Sequence, residues 1–256
     1  VEALAATLER HLTAIYERPN IGRYGRTLHA ETGIRGEETD AYDLQGIAVS
    51  AELSQPLNSH LTVSAGVAID ATRSIDYRRR SFGITKPRKQ VTLSFPLGAT
   101  YDTVKDPLDP KEGNRVFLGV EPGTSFGGGS ASYTRILTSA STYRKIRENL
   151  TAAFRAEAGT FLGEDDVPVD RKFFAGGGGS VRGFEYQSLS PKDFAGNPIG
   201  GDALFNISTE LRWRKSERWG YAVFVDSGSA TSSLENAVSN MRTSFGVGLR
   251  YYPGFG

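Results

Sequence analysis

The chain has 256 residues, 30 Lys and Arg against 29 Asp and Glu, a formal net charge of +1 and no cysteine. Balanced charge gives no electrostatic ground for nucleic acid as a partner, and the lack of cysteine removes disulfides, thiolate metal sites and a cysteine nucleophile together. No apolar run approaches the roughly 18 residues of a membrane helix, but the alternating strands of a membrane barrel escape that test.

The chain opens Val1-Glu2-Ala3-Leu4, without a charged-then-apolar leader, and stops after Tyr251-Tyr252-Pro253-Gly254-Phe255-Gly256. The expectation is an excerpt of a longer protein. Residues 1–17 are ambiguous: Leu4, Leu8 and Leu12 have helical spacing, while Leu12-Thr13-Ala14-Ile15-Tyr16 suits a strand, and we favour a strand from about Leu8. After Pro19-Asn20 a two-residue period takes over. Leu28, Ala30, Thr32 and Ile34 share one face, with His29, Glu31 and Arg35 on the other.

The same alternation runs through 42–53, where Ile47, Val49, Ala51 and Leu53 oppose Ala48, Ser50 and Glu52, and through 61–70, where Leu61, Val63, Val67 and Ile69 oppose Thr62, Ser64, Gly66 and Asp70. Tyr77-Arg78-Arg79-Arg80 is expected as a solvated loop. In 91–102 Val91, Leu93, Phe95, Leu97 and Tyr101 share a face. Pro96, lacking an N–H, should mark a bulge or irregular pairing there. Further strands are expected at 115–121, 132–144, 150–161, 203–214, 220–225 and 242–252, about eleven in all, with no comparable helical stretch.

A soluble sandwich hides its apolar faces and uses strands of about 5–6 residues. Here most strands approach about ten residues, one face is apolar, the other is small or polar, and aromatics such as Tyr101, Trp213 and Tyr251 close the apolar faces. That pattern predicts an all-β, antiparallel transmembrane β-barrel of the outer-membrane type, present as an incomplete portion of a larger barrel. The domain expectation is a single partial barrel over 1–256.

One stretch breaks the alternation. Phe173-Phe174-Ala175-Gly176-Gly177-Gly178-Gly179-Ser180-Val181-Arg182-Gly183-Phe184 brackets a single arginine with five glycines. Three readings arise: a flexible linker, a phosphate-cradling loop, or a loop that delivers Arg182 into a confined polar space. The phosphate reading is weak because no Lys-Ser/Thr follows and no βαβ pattern surrounds it.

Parity in the later strands bears on the third reading. With Phe205, Ile207, Leu211 and Trp213 facing lipid, Ser208 and Glu210 face inward. With Tyr221, Val223 and Val225 facing lipid, Phe224 and Asp226 face inward. An arginine folded into the lumen would meet both carboxylates in a charge-assisted pair that a guanidinium can make bidentate. The bland alternative is that Glu210 and Asp226 merely line a hydrated channel.

At these residues the chain resembles the outer-membrane assembly-factor superfamily of BamA, TamA and FhaC type. Val181-Arg182-Gly183-Phe184 is similar to its lumen-loop motif, and Phe224-Val225-Asp226 to its strand motif. Phe173 to Gly177, Ser180 to Phe184, Ser188-Leu189-Ser190-Pro191-Lys192-Asp193 and Ala222 to Gly228 look most like the TamA branch, the barrel subunit of the translocation and assembly module.

The resemblance implies a barrel of about sixteen strands behind periplasmic POTRA domains, none of which this chain shows, in the bacterial outer membrane. It implies insertion and assembly of unfolded client outer-membrane proteins, autotransporters among them, with no cofactor, no metal and a TamB-type inner-membrane partner spanning the periplasm. It also implies a loop over about 163–202 latched through Arg182, Gly183, Phe184, Glu210, Phe224 and Asp226, with Gly176, Gly177, Gly178 and Gly179 as its loop glycines. The seam between first and last strands, which in this family templates an incoming strand, is expected to lie outside the chain. Two other functions compete: a passive porin, and a barrel lipid hydrolase, which would need serine and acid converging on His29 or His60.

Overall fold

The computed structural model describes residues 2–5, 9–77, 83, 86–163 and 166–252. Thirteen strand segments form one antiparallel sheet: β1 (Glu2–Ala5), β2 (Glu9–Arg18), β3 (Thr27–Glu38), β4 (Tyr42–Pro56), β5 (Leu61–Asp76), β6 (Arg88–Ser94), β7 (Leu97–Asp102), β8 (Gly113–Gly127), β9 (Ala131–Arg147), β10 (Leu150–Gly163), β11 (Ala203–Arg214), β12 (Trp219–Thr231) and β13 (Arg242–Tyr251). Each pairs with its neighbours in sequence. The exception is β6 and β7, which both lie between β5 and β8 and so share one strand position. The thirteen segments therefore fill twelve positions, one more than the sequence reading.

The extra strand is β1, paired with β2 from Glu2↔Thr13 to Ala5↔Arg10. Its sequence Glu-Ala-Leu-Ala favours helix intrinsically, and pairing with a neighbour overrides so short a preference. A second correction is a short helix, α1 (Leu234–Ser239), capped by the Ser233 side chain accepting from the Asn236 N–H. Several strands also outrun their sequence limits: β8 continues to Gly127 and β12 to Thr231. Residues 78–80, on which most of the basic-loop expectation fell, lie outside the described residues, as do 253–256.

Pro96 is where β6 and β7 part. It has no N–H to give, yet its carbonyl accepts from Gly66 at 2.8 Å, and Phe95 N–H reaches Pro122 O at 2.9 Å. The line continues across the break while the ladder is locally irregular.

The side chains are sorted in the opposite sense to a soluble protein. Leu12, Ile34, Ile47, Val49, Ile69, Val91, Leu211 and Val223 are exposed on one face, whereas Thr72, Ser74, Gln90, Thr92, Ser94, Ser125 and Asn206 are buried on the other. An apolar exterior round a polar interior is stable in hydrocarbon, where a sheet satisfies its backbone groups between strands. The short-turn end of the apolar face carries an aromatic rim of Tyr16, Tyr101, Trp213, Trp219, Tyr221 and Tyr251. Two of its pairs touch, Trp213 with Tyr221 at 5.9 Å and Trp219 with Tyr251 at 4.9 Å between ring centroids.

The sheet curves around the connection between β10 and β11. That one segment touches β3 (Arg35), β4 (Tyr42), β5 (Asp70), β6 (Arg88), β8 (Glu121), β9 (Arg135), β10 (Phe161), β11 (Glu210), β12 (Asp226) and β13 (Ser244). A flat sheet could not bring so many strands to one loop. The apolar core is accordingly inside the curve, where loop meets wall: Phe173, Ala175, Leu204 and Ala230 form one buried cluster and Ala41, Tyr42, Leu44 and Val169 another.

Candidate functional site

Two neighbouring strands and one loop build the site. The register between β11 and β12 sets Ser208 opposite Asp226 and Glu210 opposite Phe224, so that hydroxyl, both carboxylates and the ring form one inward-facing square. β13 adds Ser244, the partner of Asp226 on its other side.

The loop reaches this square through its glycines. Gly176 has φ 104°, and a Cβ there would collide with the Glu185 carbonyl oxygen. The chain folds back at this point, with Gly177 N–H donating to Phe184 O at 3.1 Å and Gly176 N–H to Ser180 Oγ at 2.8 Å. Gly178 and Gly179 face open space. Gly183, at φ 86°, lies directly after the arginine, where a Cβ would press on Ser244 Cβ at 3.3 Å. Phe184 is half-buried.

Arg182 spends nearly all its donors here. Nε donates to Asp226 Oδ2 at 2.7 Å and Nη2 to Asp226 Oδ1 at 2.9 Å, a bidentate pair, while Nη1 donates to Glu210 Oε2 at 2.6 Å and Nη2 also reaches Ser208 Oγ at 3.2 Å. Its backbone N–H donates to Asp226 Oδ2 at 3.1 Å, and Ser244 Oγ donates to its carbonyl oxygen. The guanidinium carbon sits 3.6 Å from the centroid of the Phe224 ring, a cation–π contact. The hydrogen bond to Asp226 raises the Arg182 pKa above its usual value. Glu210 adds to this, while desolvation opposes it.

Asp226 is 1% exposed, and Ser208 Oγ donates to it at 2.6 Å, so both its oxygens are occupied. Glu210 is shared, its other oxygen accepting from Arg212 Nε at 2.7 Å. A cavity of about 270 Å³ opens beside the pair, between the loop and β9 to β12.

A second set of charges ties down the near limb of the loop, and the sequence reading did not pick it out. A single 3-10 turn (Val169–Arg171) presents Asp170 and Arg171 to one charge cluster, in which Arg35 also lies 3.7 Å from Asp70. Asp170 accepts from Arg35 Nη2 at 2.9 Å. Arg171 donates to Asp70 and, at 3.2 Å, to Glu121. Burial works against charge on Arg171, but Asp70, Asp170 and Glu121 outweigh it and raise its pKa. Arg88 makes a bidentate pair with Asp166 at 3.0 and 2.7 Å, and Lys172 reaches Asp202 at 2.6 Å. The signal was present in the run Asp170-Arg171-Lys172 and in the inward parity of Asp70, but nothing in sequence joins residues a hundred positions apart.

The Omp85 superfamily domain matches residues 1–256. The outer membrane protein assembly factor BamA of Nitratidesulfovibrio vulgaris is 26% identical over 247 residues, covering 93% of this chain and 31% of that protein. BamA from Haemophilus ducreyi lacking POTRA domains 1–3 matches in structure with a TM-score of 0.82 at 18% identity, over 98% of this chain and 57% of that one. CdiB from Acinetobacter baumannii matches with a TM-score of 0.61 at 14% identity, over 96% and 44% of the two chains. This chain spans about a third of the curated relative's length, and at these identities the two solved structures speak to the fold alone. A lipid-facing apolar exterior, a polar interior filled by one long loop, and a family match along its whole length agree: the chain belongs to the Omp85 superfamily, and it is an all-β barrel domain of the bacterial outer membrane.

Proposed function

We propose that the protein containing this chain inserts and assembles outer-membrane proteins, without catalysing a reaction, and that it does so with the loop at about 163–202 held in the lumen by Arg182. The observation that carries the reading is the double grip of Asp226 on Arg182, through guanidinium and backbone N–H together. Such a grip fixes the position of a loop to within a hydrogen bond. A porin needs only an obstacle in its lumen, and an obstacle does not call for a buried bidentate pair.

Four loop-side features act with Arg182 in this account. Gly176 and Gly177 turn the chain, Gly183 lets it pass close to β13, and Phe184 anchors the turn through its carbonyl. On the wall Glu210 and Phe224 complete the socket around Asp226. A relative named as an outer membrane protein assembly factor supports the class of activity. The TamA branch is favoured by the pattern of Phe173 to Gly177, Ser188 to Asp193 and Ala222 to Gly228. A TamB-type periplasm-spanning partner goes with that branch, and unfolded outer-membrane proteins are the clients. The hydrolase reading gains little from its histidines: His29 lies 3.7 Å from Glu31, and His60 meets its own chain neighbour Ser59 at 2.8 Å in an exposed turn open to water.

The test is Arg182→Ala in the full-length protein, scored by heat-modifiable gel mobility and by surface display of an autotransporter client. We expect a folded barrel and impaired display, and normal display would count against the latch.

A further inference from the structure

The exterior carries a second feature, independent of the loop. The paired residues Leu12, Ile34, Ile47, Ala71, Val91 and Phe126 run side by side across β2 to β8 on the outward face. They floor an outward concavity of about 950 Å³. Two residues nearer the loop end, the same face reads Arg10, Gly36, Gln45, Arg73 and Lys89, again in direct register. All three basic side chains are exposed. Gly36, with no side chain, leaves a notch between Arg10 and Gln45.

Arg73 and Lys89 face each other across the β5–β6 ladder. Like charges placed directly opposite repel and destabilise a sheet unless an anion sits between them. Among the described residues neither of them, nor Arg10, makes an ion pair. The outward acids on the neighbouring strands, Glu38 and Asp43, are register partners of one another, two residues further toward the loop end.

Depth defines what the anion is. Arg73 lies twelve residues along β5 from Leu61, which pairs with Tyr101 of the aromatic rim. At about 3.4 Å per residue and a tilt of about 40°, that is roughly 30 Å along the membrane normal, the thickness of a hydrocarbon core. Arg73 and Lys89 therefore stand at the headgroup level of the opposite leaflet. The long connection between β10 and β11 leaves the sheet at that end, and in outer-membrane barrels the long loops are extracellular.

We propose that this face holds a phosphorylated glycolipid of the outer leaflet, its phosphate on Arg73 and Lys89 with Gln45 as a further donor, and its acyl chains along the apolar floor. An anionic headgroup above hydrocarbon chains matches both halves of the surface, whereas a protein partner would have to enter the bilayer to cover the apolar row.

Full-length protein and its Arg73→Gln/Lys89→Gln variant, each checked for heat-modifiable mobility, are titrated in detergent with lipid A, dephosphorylated lipid A and phosphatidylglycerol, and bound lipid is counted by native mass spectrometry. The wild type is expected to hold lipid A about thirtyfold more tightly than the variant, at the usual strength of two basic groups near a lipid surface. Dephosphorylated lipid A is expected to bind both proteins equally and weakly, and phosphatidylglycerol, with a single phosphodiester, to bind the wild type more weakly than lipid A does. If the double variant does not fold, Arg73→Gln alone is read in the same way, with a drop of about fivefold. Equal lipid A affinity for wild type and variant overturns the proposal, and so does phosphatidylglycerol held by the wild type as tightly as lipid A.

Discussion

Asp226 holds Arg182 from two directions at once: Oδ1 and Oδ2 accept the forked Nη2 and Nε at 2.9 and 2.7 Å, and Oδ2 also accepts the arginine's own backbone N–H at 3.1 Å. The carboxylate therefore orients the main chain of the loop as well as its side chain. Glu210, by contrast, divides itself between Arg182 and Arg212. Exposed ion pairs contribute about 0–1 kcal/mol, and breaking a buried pair costs about 3–5 kcal/mol. With Asp226 at 1% and Arg182 at 32% side-chain exposure, this pair falls between those limits.

The two carboxylates should not be equivalent. Asp226→Asn removes the charge and one of the two acceptor oxygens, stranding either the backbone N–H with Nε or Ser208 with Nη2, and we expect it to expose the loop to limited proteolysis at Arg182 far more than Glu210→Gln does. Equal cleavage rates would show that the backbone contact adds nothing.

Charge alone should not suffice at position 182. Arg182→Lys keeps the positive charge but loses the fork and the stack on Phe224, whose centroid lies 3.6 Å from the guanidinium carbon. Client display is expected to recover only partly relative to Arg182→Ala, and full recovery would reduce the site to a point charge.

The near limb of the loop should be separately breakable. Arg171→Ala removes the cation that Asp70 and Glu121 share, at 11% and 19% side-chain exposure, and leaves Asp70 only Arg35 at 3.7 Å. The expected loss is on the order of 3 kcal/mol in urea unfolding from detergent. The Arg182 contacts should survive, so proteolysis is expected to shift to the segment around Arg171.

Opposite faces of one strand should respond oppositely to the same charge. Val49 is 50% exposed on the outward face, and a lysine there is expected to cost about 2–4 kcal/mol in a bilayer. Ser50, its neighbour, faces inward opposite Glu31, so Ser50→Lys is expected to be near neutral. In a soluble protein an exposed Val49→Lys would cost almost nothing, so folding yields of the two variants in liposomes decide between the two environments.

Most of the fold was readable because a barrel strand repeats every two residues, as in Leu61 to Ile69, and membrane burial makes that alternation strict. Pro96 could be flagged since a missing N–H is a local fact. β1 was not readable: four residues of Glu-Ala-Leu-Ala have no period of their own and take their form from β2. α1 is a single capped turn and a half, too short to show helical spacing. On the wall of the site, parity alone puts Glu210 and Asp226 inward. Ser208 shares that parity, but its bonds, Ser244 and the Arg171 cluster depend on where a long loop lands, which no local pattern encodes.

The most direct measurement is surface display of an autotransporter client by full-length protein carrying Arg182→Ala, Asp226→Ala, or both, with barrel folding checked in each. If the two residues act as one device, the double variant loses no more display than the worse single variant. Display that falls by the product of the two single losses, or that stays normal in Arg182→Ala with a folded barrel, would contradict the account.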